Sequence, residues 1–177
     1  MIAYRHADRR FPFLWEGSGQ PPARWNEAGD PPTQYLSDTP DGAWAEFVRH
    51  EEIVDVGDLA GVRRALWAVD LGDQALTRVA LEHASVTGGA SSYPTCRAEA
   101  RRRRLRSDAG FLALSAALEP GGAAGWRVEG GLQPARARDG LTVVLFGERP
   151  DLVGWKACEE GRPGDELLEH VRALRGR

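Results

Sequence analysis

Apolar positions along this chain follow a helical spacing in some stretches and β-type runs in others. The clearest helical stretch is residues 40 to 50, where Ala43, Trp44, Phe47 and Val48 recur on one side. Thr39 is placed to cap orphan amides, Pro40 suits the first helical position, and Asp41 complements the positive end of the helix dipole. The pattern also predicts helices over 74 to 83, after Gly72-Asp73, and from Thr95 to about Ser107, with Gly110 near its end. A last helix from about Asp165 carries Leu167, Leu168, Val171 and Leu174 on one face. Strand signals cover 34 to 36, 63 to 70, 111 to 118, 126 to 128 and 141 to 146, the last being the most β-branched and therefore central. Residues 85 to 94 form a polar loop, and the first 33 residues hold strand fragments among turn formers such as Gly17, Gly19, Pro21, Pro22, Gly29, Pro31 and Pro32. Strands cluster late and helices are interspersed, an α+β pattern. With neither a repeat nor a low-complexity linker, residues 1–177 read as a single domain.

Composition narrows the classes. The 177 residues are 42% hydrophobic and 28% charged, an ordinary globular balance, and the longest apolar runs are too short to span a membrane. The net charge of -3 argues against direct nucleic-acid binding, which needs a broad basic surface. Cys96 and Cys158 belong to no CxxC pair, and the start MIAYRHADRR lacks the apolar stretch of a secretion signal. A cytoplasmic protein with two free thiols follows. His6, His50, His83 and His170 lack metal-ligand spacing, so no metal is expected.

The 23 basic residues include a single lysine, Lys156, so any bound anion meets planar guanidinium forks. Six arginines fall within Arg97 to Arg106, RAEARRRRLR. On a helix, Arg97, Arg101 and Arg104 lie on one side. The run reads as a solvated face, as a dock for an acidic partner, or as a contact for phosphates. Gly88-Gly89 and Gly130-Gly131 lead into neither a Walker lysine nor a GxGxxG turn. Cys96 opens the arginine-rich helix, where a thiolate could be stabilised, but no histidine pairs with it.

The segment 23 to 52, ARWNEAGDPPTQYLSDTPDGAWAEFVRHEE, carries the chemistry. Arg24 stands beside an aromatic and an amide, Tyr35 follows on a strand, and Glu46 lies on the capped helix, at spacings that let a strand and helix bring all three to one cleft. Arg24, Trp25, Asn26, Gly29, Tyr35 and Glu46 resemble the first block of the RES domain family, NAD-consuming bacterial toxins named for arginine, glutamate and serine. Ser115 in FLALSAAL resembles the family serine, with Leu114 where the family has a proline, and LTVVLFGERPDL resembles the apolar strand after it.

The resemblance implies an ADP-ribosyltransferase-like split β-sheet with short flanking helices and a cleft for NAD, which is substrate rather than resident cofactor. It implies cleavage of the nicotinamide–ribose bond as a glycohydrolase or phosphorylase, and an antitoxin protein as partner. The alternatives are a protein ADP-ribosyltransferase and a catalytically silent nucleotide- or partner-binding protein. Glu46 would stabilise the positive charge that grows on ribose as nicotinamide leaves. Arg24 would grip the diphosphate or a ribose hydroxyl, Tyr35 would offer its ring to nicotinamide, and Ser115 would be a hydrogen-bonding ligand. Trp25 and Trp44 read as packing residues.

Overall fold

A computed structural model describes residues 1–173, so Leu174 of the expected last helix lies outside the described residues. In chain order the elements are β1 (Ile2–Ala7), β2 (Thr33–Ser37), α1 (Pro40–His50), α2 (Val56–Leu59), β3 (Arg64–Asp70), β4 (Thr77–Arg78), α3 (His83–Thr87), α4 (Tyr93–Leu105), β5 (Gly110–Leu114), β6 (Trp126–Val128), β7 (Leu132–Pro134), β8 (Leu141–Phe146) and β9 (Val153–Gly161). Seven strands form one sheet in the order β4-β5-β8-β2-β1-β3-β9, antiparallel except for the β4–β5 pair. β6 and β7 form a separate hairpin.

The sheet is split. β2 pairs with β8 along its whole length and β1 with β3 along theirs. Yet β1 and β2 meet at one register pair, Tyr4 with Ser37. The two halves are thus β4-β5-β8-β2 and β1-β3-β9. The expected α+β class, a split sheet flanked by short helices, is the one observed.

Register sorts the side chains into two faces. Ala3, Leu36, Val69, Val143 and Leu145 share one face, which packs on Leu71 and Leu152, with Phe13 and Leu14 of the N-terminal loop over it. Tyr4, Tyr35, Ser37, Phe111, Ala113, Thr142 and Val144 share the other. Two separate apolar clusters cover that second face. One holds Ala43, Trp44, Phe47 and Val48 of α1 with Leu59, Leu66 and Leu167. The other holds Trp25, Val86, Cys96, Ala100, Phe111 and Val144 beneath α3 and α4. Ser37 and Thr142, paired across β2 and β8, are polar and buried on this same face.

Helix α1 has its expected bounds: Thr39 Oγ1 accepts from the Gly42 amide at 3.0 Å, and Pro40 and Asp41 occupy the first turn. Trp25 and Trp44 are core residues, as read.

Other expectations need correction. Residues 74 to 82 are not helical, and His83 opens α3 instead of ending a helix. Leu76, Val79 and Leu81 turn apolar side chains to the core, while Thr77–Arg78 pairs with Phe111 and Leu112, so edge pairing overrides helix propensity. The expected 85–94 loop contains part of α3, a 3-10 turn at Ala90–Ser92 and the start of α4. The strand expected over 111 to 118 stops at Leu114, because Ser115 Oγ accepts from the Ala117 and Leu118 amides and turns the chain. The last helix is a 3-10 segment, Asp165–His170. Strand β1 falls among the strand fragments expected in the first 33 residues, and β7, β9 and the short helix α2 add to the expected set.

Candidate active site

Arg24 leaves a small loop closed by a bridge between Ala23 and Asn26. Gly29, at φ +83°, turns the chain back within the same segment, a conformation that suits glycine. The Arg24 side chain is 7% exposed. Its Nη1 donates to the Ser85 carbonyl at 3.2 Å and to Ser92 Oγ at 3.0 Å, its Nη2 donates to the Gly88 carbonyl at 2.6 Å, and its guanidinium lies 4.7 Å from the Tyr93 ring centre. A Cβ at position 88 would stand 2.5 Å from the Ala84 carbonyl oxygen, so only glycine lets α3 end this tightly beside the arginine.

Tyr35 fastens the loop to the sheet. Its hydroxyl accepts from the Trp25 amide at 2.9 Å and donates to Asn26 Oδ1 at 2.8 Å. Burial raises its pKa, so the hydroxyl stays protonated through the alkaline range. Tyr35→Phe leaves that amide and that side-chain carbonyl without their partner. We expect it to cost about 1–3 kcal/mol, read as a lower denaturant midpoint with an unchanged m-value.

Glu46 projects from α1 toward Thr142, the residue that pairs with Ser37 across β2 and β8. Thr142 Oγ1 donates to Glu46 Oε1 at 3.4 Å, a long bond. Burial raises the carboxyl pKa above the ordinary glutamate value, and the positive charges of Arg49 and Arg24 oppose that rise. Tyr35 ties the Arg24 loop to β2, and Glu46 meets Thr142 on the same face of the sheet.

Ser115, 4% exposed, lies at the end of β5 on the same face as Ala113 and Thr142, with its oxygen committed to the turn amides. No hydrogen bond joins it to Arg24, Tyr35 or Glu46 among the described residues.

The arginine run has internal partners. The side holding Arg97, Arg101 and Arg104 faces the loop that carries Arg24. Arg97 Nε donates to the Ala23 carbonyl at 2.9 Å, Arg101 pairs with Glu27, and Arg104 donates to the Trp25 carbonyl and Thr33 Oγ1 and pairs with Asp30. Arg102 and Arg103 pair with Glu99, and Arg106 with Asp108. Burial raises the Cys96 thiol instead of favouring its thiolate, and the thiol donates to the Ser85 carbonyl.

Sequence reasoning missed Arg49, one helical turn beyond Glu46 and 6% exposed. Its signal was its spacing: i and i+3 on one helix place two side chains on one face. Among the described residues no three His, Cys, Asp or Glu side chains group as a metal site, and no helix is long and apolar enough to cross a membrane.

The family model for the RES domain matches residues 2–160. The chain belongs to the RES domain family. Among solved structures, this RES domain is similar to a chain in the crystal structure of the M. tuberculosis MbcT–MbcA toxin–antitoxin complex, with a TM-score of 0.60 and 16% identity over 95% of this chain and 86% of that one. At that identity the likeness concerns the fold. No curated protein matches this RES domain by sequence.

Proposed function

We propose that this chain binds NAD in the cleft over Ser37 and Thr142, breaks the bond between nicotinamide and its ribose, and serves as the toxin of a toxin–antitoxin pair. The observation that carries the reading is a RES domain in which Tyr35 fastens the Arg24 loop to β2 while Glu46 meets Thr142 on the same face of the sheet. A chain of the same fold in a toxin–antitoxin complex supports the antitoxin partner.

The chemistry suits these groups. When the C1′–N bond breaks, nicotinamide leaves with the electron pair and the ribose carbon becomes positive. The Glu46 carboxylate, partly withdrawn from water, stabilises that charge and accepts a hydrogen bond from a ribose hydroxyl. An oxygen of water, phosphate or a protein side chain then bonds to the carbon and gives up its proton. Arg24 and Tyr35 keep the cleft wall in place.

The test is incubation of the purified protein with NAD, in water, with phosphate and with a protein acceptor, followed by chromatography for free nicotinamide. Nicotinamide release in at least one condition is expected. Its absence from all three overturns the reading.

A further inference from the structure

Among the described residues Arg49, Arg104 and Arg172 each have a buried Nε without a partner, but the terminal nitrogens of Arg104 and Arg172 are paired, while those of Arg49 are nearly unused. Arg49 is 6% exposed, yet its Nε has no hydrogen-bond partner, and its one hydrogen bond among the described residues is a 3.4 Å contact from Nη2 to the Thr87 carbonyl. Buried guanidinium N–H groups are ordinarily satisfied, because leaving one unpaired away from water is costly. Arg24 presents the opposite case, with both terminal nitrogens committed to the Ser85, Gly88 and Ser92 oxygens.

The two side chains reach the same corner, since Arg49 touches the carbonyl of residue 87 and Arg24 that of residue 88. Each repels the other, and Arg172 adds a third positive charge to the field at Arg49, against the single carboxylate of Glu46. Burial and this repulsion both hold the Arg49 pKa below the ordinary arginine value. Bringing cations together out of water is unfavourable unless an anion joins them.

We propose that Arg49 is the anion receptor of the cleft, taking a phosphate oxygen of a diphosphate-bearing substrate through its unused terminal N–H groups. The proposal rests on the NAD reading for the identity of that substrate, and it moves the grip on the diphosphate from Arg24 to Arg49. A guanidinium donates two parallel bonds to a phosphate, which an ammonium cannot reproduce. Arg49 is a binding residue, one turn from the carboxylate that faces the reacting carbon.

Two measurements test it on the full chain. In the first, thermal unfolding is followed with and without inorganic pyrophosphate or ADP-ribose. The wild type rises in Tm with either, whereas Arg49→Gln does not. In the second, steady-state kinetics compare NAD with nicotinamide riboside, which carries no phosphate. Arg49→Gln raises KM for NAD about tenfold to a hundredfold, and its loss of kcat/KM for NAD exceeds its loss for the riboside by at least about tenfold. A purely structural role would affect both substrates alike.

Equal stabilisation of wild type and Arg49→Gln by pyrophosphate, or none in the wild type, overturns the proposal. Selective loss of stabilisation in a protein that never releases nicotinamide upholds the anion site and overturns the NAD reading instead. If Arg49→Gln does not fold, Arg49→Lys carries the test: at least about tenfold weaker pyrophosphate binding is expected, and a wild-type response overturns the proposal.

Discussion

On the proposed function, Glu46→Gln is expected to lower kcat for nicotinamide release by about two to three orders of magnitude, the usual loss when one preorganised electrostatic partner of a transition state is removed. The amide keeps the volume of the side chain and its place over Thr142, so KM changes little. The wild-type acid limb of kcat/KM lies above the ordinary glutamate value of 4.5, because burial raises the carboxyl pKa against the pull of Arg49 and Arg24. The same shift fixes the sign of the stability effect. With the folded-state pKa above the unfolded one, ionisation of Glu46 weakens the fold as pH rises through both values. Glu46→Gln therefore has a Tm at pH 7 equal to or above that of the wild type. Full turnover by a well-folded Glu46→Gln removes Glu46 from the chemistry and leaves the fold assignment intact.

The largest effect on stability is expected at Trp25. The indole is 2% exposed, packs edge-on to Phe111 with ring centres 4.9 Å apart, and sits among Val86, Cys96, Ala100 and Val144. Trp25→Ala removes that surface and opens a cavity where α3, α4 and the sheet meet, at about 3–5 kcal/mol. Against a total of about 5–15 kcal/mol for a native protein, this is a large share. Chemical denaturation should show a sharply lower midpoint, while Trp25→Phe, which keeps an aromatic against Phe111, loses less. Activity should fall with Trp25→Ala even below the midpoint, since Arg24 is the preceding residue and Tyr35 holds the Trp25 amide. A midpoint unchanged within about 1 kcal/mol would show that the pocket collapses around the loss.

Parts of the molecule that obey one strong local rule were legible in the sequence. Helix α1 has a cap, a proline and an apolar stripe, and β8 has a β-branched run, so both could be placed. Strand β9 obeys no such rule: it is an edge strand, mostly exposed, with Lys156, Glu159 and Glu160 along it, and its pairing with β3 shifts register between Arg64 and Trp67. Strand β4 is two residues long, too short for any period to show. The same contrast holds in the site. Arg24, Tyr35 and Glu46 form an ordered motif close together in sequence. Arg49 has no motif, and an arginine on a helix reads as solvated unless its approach to the Thr87 carbonyl at the end of α3 is known. The common side of Arg97, Arg101 and Arg104 could be read from helical spacing. Its partner, a loop far earlier in the chain, could not.

The split sheet also constrains the order of assembly. Arg24, Tyr35 and Glu46 all emerge early in synthesis, but β2 is held in place by β8, and Thr142, the hydroxyl that meets Glu46, lies on that late strand. The seam with β1, a single register pair, offers β2 little support in the meantime. Pairing across so long a stretch of chain is entropically slow to nucleate. A ribosome-bound fragment ending before residue 141 thus contains all three motif residues but lacks the strand that pairs with β2 and the hydroxyl that meets Glu46.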